Sequence, residues 1–303
     1  GMGIPRKINK RLFKALNKNM KGFKAAKKIV RDFKPDIAIG TGGYVCGPII
    51  FQAAKAGVPT LIHESNSYPG VTSKFLSKKV DVLCISYREA KRHFKYKKNI
   101  VVTGNPVRTN FSKDYSELDL ENLGIKKNRP IVFSFGGSNG SYSMNKAVKE
   151  MSNKLNGDFY LLHQTGKNNY EDFIDGLDEN PYLKIFPYID NIDLFYAVSD
   201  LVIASSGAMS LSEISSIGKP SILIPKSYTT ENHQEYNAKT YVKNGASIML
   251  LEKDLDGELL YDNIMSIVSD SNKLMNMGEA SSKLSNNSAS DTILDLVLGL
   301  TNR

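Results

Sequence analysis

Short apolar runs recur along this chain, and each is cut off by a turn rich in glycine, serine or asparagine. Asp36–Gly40 runs into Thr41-Gly42-Gly43-Tyr44, Thr60–His63 into Glu64-Ser65-Asn66, and Asn99–Thr103 into Gly104-Asn105-Pro106-Val107-Arg108. Ile131–Phe135 runs into Gly136-Gly137-Ser138-Asn139-Gly140-Ser141, and Leu201–Ala204 into Ser205-Ser206-Gly207-Ala208. Asp81–Ser86, Phe159–His163, Lys184–Phe186, Ser221–Ile224 and Ala246–Leu250 continue the series. Apolar runs this short, with little polar alternation, read as strands buried on both faces, and helical spacing fills the segments between them. The rhythm is that of a parallel α/β sheet, whose ligands bind at the carboxyl ends of the strands.

With 303 residues there is room for two such domains. The rhythm lapses over Thr109–Arg129, which is polar and broken at Leu123-Gly124, so we expect an N-terminal domain over 1–108, a connection over 109–129 and a second, doubly wound domain over 130–303. A helix is expected from Pro48 to Ala56, and a C-terminal helical region to about Leu300.

Composition removes several classes of function. No apolar run is long enough to span a bilayer, and the basic N-terminus lacks the apolar segment of a signal peptide, which predicts a cytoplasmic protein. Two cysteines, Cys46 and Cys84, lie in or beside strand-like runs and read as buried free thiols; no Cys/His spacing suggests zinc. The net charge of +9 is local. Residues 1–33 hold 11 Lys/Arg against Asp32 alone, a local +10, which leaves 29 of the 40 basic and 30 of the 31 acidic residues elsewhere. Apolar residues from Ile8 to Phe33 recur between those lysines and arginines as in amphipathic basic helices. Without an aromatic platform or a helix-turn-helix signal the pattern disfavours nucleic acid and favours a core-packed helix with an anionic-membrane rim.

Candidate site residues cluster where strands end. The Gly136–Ser141 turn could bring backbone N–H groups close to a diphosphate, and the turn before Ala208 opens a helix whose positive end suits an anion. Glu213, about one turn into that helix, could accept from vicinal hydroxyls of a ribose or sugar. His233 and Gln234 open the next helix. Each piece alone is ordinary for a βα turn; two successive units with polar groups at their strand ends carry more weight.

Taken in order, GTGGYVCGP (40–48), HESN (63–66), GNPVR (104–108), GGSNG (136–140), HQTGK (163–167), SGAMSLSE (206–213), GKPSILIP (218–225) and HQEYNA (233–238) resemble the MurG family, glycosyltransferase family 28. That resemblance implies the GT-B fold, two Rossmann-like doubly wound domains facing a cleft, with the N-terminal one incomplete here. It implies inverting transfer of N-acetylglucosamine from UDP-N-acetylglucosamine to lipid I, undecaprenyl-diphospho-muramoylpentapeptide, with no cofactor and no metal. On the same ground Ser138 and its neighbours would hold the diphosphate and Arg108 would lie near the nucleotide. Glu213 would take the ribose, Ala208, His233 and Gln234 would address the sugar, and Asn145 matches a further polar position. Tyr44, Glu64 and Asn66 match the acceptor side, and His63 reads as an orienting residue beside them. These three strand-end residues, His63, Glu64 and Asn66, are the candidates for a catalytic group.

The sequence departs from the family in two places. An arginine usually stands where this chain has Ser205. The family also carries about seventy further N-terminal residues, with a GGTGGH-type loop whose histidine is usually assigned to catalysis, and none of His63, His93, His163 or His233 occupies that position. The chain as written is therefore expected to transfer poorly and to self-associate through the edge of the strand Asp36–Gly40. It is expected at the cytoplasmic face of the membrane. The competing functions are a non-catalytic nucleotide-sugar-binding protein and a GT-B enzyme with another lipid acceptor.

Overall fold

A computed structural model describes residues 10–108 and 114–302 and divides into two compact units, 1–106 with 286–303, and 107–285. Ile4 and Ile8 of the basic segment and the start of the expected connection lie outside the described residues.

The first unit opens with α1 (Lys10–Phe33), then β1 (Ala38–Gly40), α2 (Gly43–Lys55), β2 (Thr60–Glu64), α3 (Val71–Leu76), β3 (Val82–Ile85) and β4 (Ile100–Val102). The four strands are parallel in the order β1-β2-β3-β4. Alternate residues divide between the faces. Ile62, Leu83 and Ile85 join Val30 of α1, Ile50 and Ala53 of α2 and Leu76 of α3 in one core, while Leu61 and Cys84 point to the other side. Cys46 is half-buried and Cys84 buried, both as free thiols. The helix expected from Pro48 begins earlier, at Gly43. Gly42 and Gly43 take φ of 89° and 74° and turn the chain straight from β1 into the helix, so Pro48 sits inside it.

The second unit holds α4 (Glu117–Asn122), β5 (Ile131–Phe135), α5 (Tyr142–Ser152), β6 (Tyr160–Gln164), α6 (Tyr170–Ile174), β7 (Leu183–Phe186), α7 (Ile192–Val198) and β8 (Leu201–Ala204). It continues with α8 (Ala208–Ser216), β9 (Ser221–Leu223), α9 (His233–Lys243), β10 (Ser247–Met249), α10 (Gly257–Val268) and α11 (Ser271–Ser282). All six strands are parallel, in the order β10-β9-β8-β5-β6-β7. The chain therefore winds outward from β5 in one direction and returns at β8 to wind in the other. Both faces are covered: Val132, Leu161 and Ile203 pack with α5 and α10, and Phe133, Leu162 and Val202 pack with α7 and α8. This is the doubly wound domain expected from the strand pattern.

Two expected boundaries move. Residues 114–129 are not a bare connection: Ser116 and Asp119 form a capping box that starts α4, and Leu120 and Ile125 are buried in the second unit's core. The last helix, α12 (Ala289–Thr301), does not stay with 130–285. Its residues Ile293, Leu296, Val297 and Leu300 cover the second face of the first unit's sheet, against Leu61 and Cys84. That face is a two-sided buried surface, and a strip of apolar residues spaced along α12 is what removes it from water.

Candidate functional site

Reversal of winding between β5 and β8 creates a topological switch point, the place where an open parallel sheet leaves a crevice beyond its carboxyl ends. The turn after β5 and the turn after β8 meet there. The Gly136–Ser141 turn is tightly built: a Cβ on Gly140, at φ 73°, would lie 1.9 Å from the Thr165 carbonyl oxygen, and one on Gly136 would lie 2.3 Å from the Ser141 nitrogen. Its carbonyls are tied down by side chains. Gln164 Nε2 donates to Gly137 O at 3.1 Å, Asn169 Nδ2 to Asn139 O at 3.1 Å, and Lys226 Nζ to Gly140 O at 2.8 Å. With the carbonyls so occupied, the N–H groups of Gly137, Ser138 and Asn139 donate to no acceptor among the described residues. Ser138, a sequence candidate, is exposed in this turn. Three backbone donors held together in a rigid loop form a cradle suited to a phosphate.

Across the switch point, Gly207 and Ala208 start α8, and two buried hydroxyls beside them, Ser205 Oγ and Ser206 Oγ, have no hydrogen-bond partner among the described residues. Asn237 of α9 donates to Ser206 O at 3.3 Å and fixes this turn against the following helix. Glu213 lies half-buried in the second turn of α8, where burial raises its pKa. The Tyr196 hydroxyl, donating to Oε2 at 3.1 Å, and the Arg108 charge oppose that rise. Oε1 has no partner among the described residues, so one carboxylate oxygen remains for a ligand hydroxyl.

The start of α9 is strained: Glu231 and Asn232 both take positive φ, 55° and 57°. That bend brings His233 to 3.7 Å from the Glu231 carboxylate and lets Gln234 Oε1 accept from the Lys226 N–H at 2.9 Å. Gln234 therefore holds the β9–α9 loop in place as well as facing the strand ends.

Asn145 ties the glycine turn to the interior of the domain. Its Nδ2 donates to Thr165 O at 3.0 Å, and its Oδ1 faces His163 Nε2 at 3.2 Å. His163 is fully buried and lies 2.5 Å from Ser134 Oγ through Nδ1, and burial pushes its pKa down to about 3. Both ends of the Asn145 amide are thus engaged inside the domain by one hydrogen bond each, and the residue supports the glycine turn through Thr165.

In the first unit, the strand-end residues form a closed network. Glu64 is 4% exposed; Oε1 accepts from Asn66 N and Nδ2, each at 3.1 Å, and Oε2 from Gly70 N at 3.0 Å and Ser73 Oγ at 2.6 Å. His63 Nε2 lies 2.9 Å from Gly104 O, and burial lowers its pKa. Ser86 Oγ donates to Asn105 Oδ1 at 2.6 Å, and Asn105 Nδ2 donates to Ser65 O at 3.2 Å. In this arrangement Glu64 braces the 63–70 turn with both oxygens engaged, whereas the His63 ring bonds through Nε2 alone among the described residues. Tyr44 is 55% exposed in the first turn of α2.

Sequence reasoning passed over Lys226, Tyr196 and Gln164. Lys226 and Gln164 each stand at or just past the end of an apolar run, which is where it could have found them. Tyr196 reads only as part of an apolar helix. Among the described residues no cluster of His, Cys, Asp and Glu could hold a metal ion.

Comparison with known proteins gives a consistent result. Residues 131–293 match the glycosyltransferase family 28 C-terminal domain and residues 1–85 the family 28 N-terminal domain. The chain is 48% identical over 298 residues to a UDP-N-acetylglucosamine--N-acetylmuramyl-(pentapeptide) pyrophosphoryl-undecaprenol N-acetylglucosamine transferase of Finegoldia magna, spanning 97% of this chain and 80% of that one. A transferase of the same name from Clostridioides difficile is 42% identical over 306 residues, 99% of this chain and 75% of the relative. Among solved structures, Acinetobacter baumannii MurG superimposes with a TM-score of 0.75 at 23% identity, covering 92% of this chain and 78% of that one. The S. aureus MnaA–UDP structure gives 0.72 at 17% identity over 94% and 82%, a likeness of fold.

Proposed function

The chain belongs to glycosyltransferase family 28, and from that premise we propose that it transfers N-acetylglucosamine from UDP-N-acetylglucosamine to undecaprenyl-diphospho-muramoylpentapeptide. The observation that carries the reading is the switch point of the second unit, where three unpaired backbone N–H groups and a half-buried carboxylate lie at neighbouring strand ends. A nucleoside diphosphate needs both kinds of group. The Gly137–Asn139 amides serve the diphosphate, Oε1 of Glu213 accepts from the ribose hydroxyls, and Ala208, His233 and Gln234 face the sugar. In the reaction an acceptor hydroxyl attacks the anomeric carbon, the bond from that carbon to the diphosphate breaks, and UDP leaves with the electron pair. Arg108 lies close enough to Glu213 to favour its charged form, and so serves the nucleotide end of the same site.

Acceptor binding falls to the first unit, where the Glu64-braced turn presents Asn66 and where Tyr44 is exposed on α2. A membrane surface is a suitable home for that unit. Lys21, Lys24, Lys27, Lys28 and Arg31 of α1 are exposed, and so are Ile29 and Phe33. Phe23, Phe51 and Phe75 form an aromatic row with centroid spacings of 5.5 and 6.0 Å, with Lys79 over Phe51 at 5.0 Å. Apolar groups rimmed by lysines fit the interface of an anionic leaflet. No described helix is long and apolar enough to cross the bilayer. β1 stands at the edge of its sheet with Ile39 half exposed, and pairing of two copies along that edge is a further expectation.

The test is transfer of labelled N-acetylglucosamine from UDP-N-acetylglucosamine to a short-chain lipid I analogue, alongside UDP binding by calorimetry without magnesium. Absence of both would reject the reading. Vesicle flotation should require anionic lipid and fade with salt over a screening length of ~8 Å at physiological ionic strength. Binding to neutral vesicles that ignores salt would reject the membrane assignment, and a clean monomer at high concentration in sedimentation would reject edge pairing.

A further inference from the structure

Lys226 directly follows Pro225 at the end of the β9 segment, and its side chain ends on Gly140 O, in the turn that follows β5. In the sheet, β8 lies between β9 and β5. A side chain that starts beyond β9 and finishes on the β5 turn therefore crosses the carboxyl end of β8. That end carries Ser205 and Ser206, 7% and 0% exposed, whose hydroxyls have no partner among the described residues. The Lys226 ammonium is thus held over the switch point, between the glycine turn and the start of α8.

Its own hydrogen bonding is incomplete. An ammonium has three donors, and Lys226 Nζ uses one, on a neutral carbonyl. No carboxylate among the described residues forms an ion pair with it. Glu252, whose charge it favours, gives Oε1 to Ser143 Oγ at 2.7 Å and Oε2 to Ser227 N at 2.7 Å. A half-buried cation with one neutral acceptor, beside three N–H groups and two hydroxyls that have no partner among the described residues, is a cluster with donors in excess. A phosphate supplies acceptors for them.

We infer that Lys226 is a phosphate-contacting residue, its ammonium placed against the distal phosphate of the bound nucleoside diphosphate. The inference rests on the nucleotide-sugar reading of this site and adds a role in the chemistry. As the acceptor oxygen bonds to the anomeric carbon, the electron pair of the breaking bond passes to the distal phosphate oxygen of UDP, and the acceptor proton passes to a base. Negative charge thus grows at the atom nearest Lys226, where a fixed cation in a partly buried site acts most strongly. The hydrogen bond to Gly140 O ties that charge to the loop whose amides face the same phosphates.

The experiment compares wild type, Lys226→Met, Lys226→Gln and Lys226→Arg by calorimetry with UDP, UMP and uridine, and then by steady-state transfer. Removing the cation should weaken UDP by ~10- to 100-fold, the loss expected for a hydrogen bond to a charged group. UMP should weaken less and uridine by under about twofold, since it has no phosphate, and arginine should restore most of the UDP affinity. The kcat of transfer should fall in the methionine and glutamine variants beyond any change in KM for the nucleotide sugar. Uridine binding also reports that the variant site is folded. Parallel loss of all three ligands would make Lys226 a brace for the glycine turn and overturn the inference, as would unchanged UDP affinity. A wild-type protein that binds none of the three would instead remove the nucleotide-sugar reading, and this inference with it.

Discussion

The two clusters of polar residues at strand ends are built on opposite principles. In the first unit Glu64 accepts four hydrogen bonds, the His63 ring faces the Gly104 carbonyl, and Ser86 and Asn105 bind each other and the neighbouring backbone. In the second unit three loop N–H groups, two seryl hydroxyls, one oxygen of Glu213 and part of the Lys226 ammonium are left unused. Of these the Ser205 and Ser206 hydroxyls are buried, and buried polar groups without partners cost free energy, so a protein keeps them only where something else completes them. A completed network is scaffold; an incomplete one, with donors for a phosphate and an acceptor for a hydroxyl, is a binding site.

The comparison is most exposed to Glu64→Ala. Removing the carboxylate strands Asn66 N, Gly70 N and the Ser73 hydroxyl in a buried turn, and should lower stability by roughly 3–5 kcal/mol, with Glu64→Gln costing about half as much. Thermal and urea unfolding measure it. A protein that keeps its unfolding midpoint yet loses transfer would make the first unit's cluster reactive and would break the contrast.

Next in size is the acid sensitivity of the second unit. His163 is neutral and fully buried, with its pKa depressed to about 3 against 6.5 in an unfolded chain. The unfolded state therefore takes up a proton, as pH falls below 6.5, that the folded state refuses. Stability is complete above that value and is lost on acidification at up to ~1.4 kcal/mol per pH unit until about pH 3. Histidine NMR should find His163 untitrated at pH 5 and His63 titrating below the ordinary range. A normal titration of His163 would mean that the Ser134–His163–Asn145 support is open to water.

Much of this architecture could be read from local pattern, because a strand buried on both faces and ended by a glycine leaves its mark within a few residues. Ile131–Phe135 and Leu201–Ala204 have the bounds expected of them, and the second unit is doubly wound. What escaped depends on residues far apart in the chain. α12 returns to the first unit because its apolar strip fits Leu61 and Cys84, more than 200 positions earlier, and no periodicity says which sheet a helix will cover. The bonds of Asn145 to Thr165 and His163, about twenty positions away, are equally invisible to local pattern. α4 is a different case. The Ser116 and Asp119 capping box was present in the sequence, but the polar residues around Leu120 and Ile125 masked a two-residue anchor.

The smallest expected effect is the one that ties stability to binding in a single side chain. Burial raises the Glu213 pKa above the ordinary 4.5, so the folded state holds this proton more tightly than the unfolded one. For a carboxyl group shifted upward, the folded protein is penalised once pH rises through the unfolded value and bears the whole penalty above the folded one. Glu213→Gln removes that charge while keeping an acceptor for the Tyr196 hydroxyl, so it should raise stability at pH 7, and the gain should vanish as pH falls below 4.5. UDP affinity should move the other way. A neutral amide oxygen is a weaker acceptor for two ribose hydroxyls, and Glu213→Ala, which leaves no acceptor, should lose about 1.5–3 kcal/mol of UDP binding. In the wild type the same affinity should decline on acidification before ordinary carboxylates titrate, because the raised pKa protonates Glu213 first. Unfolding curves and UDP calorimetry across pH 4–8 measure both trends. Equal UDP affinity in wild type and Glu213→Ala would remove the carboxylate from the ribose, and a glutamine variant less stable at pH 7 would show that its charge is already compensated by Arg108.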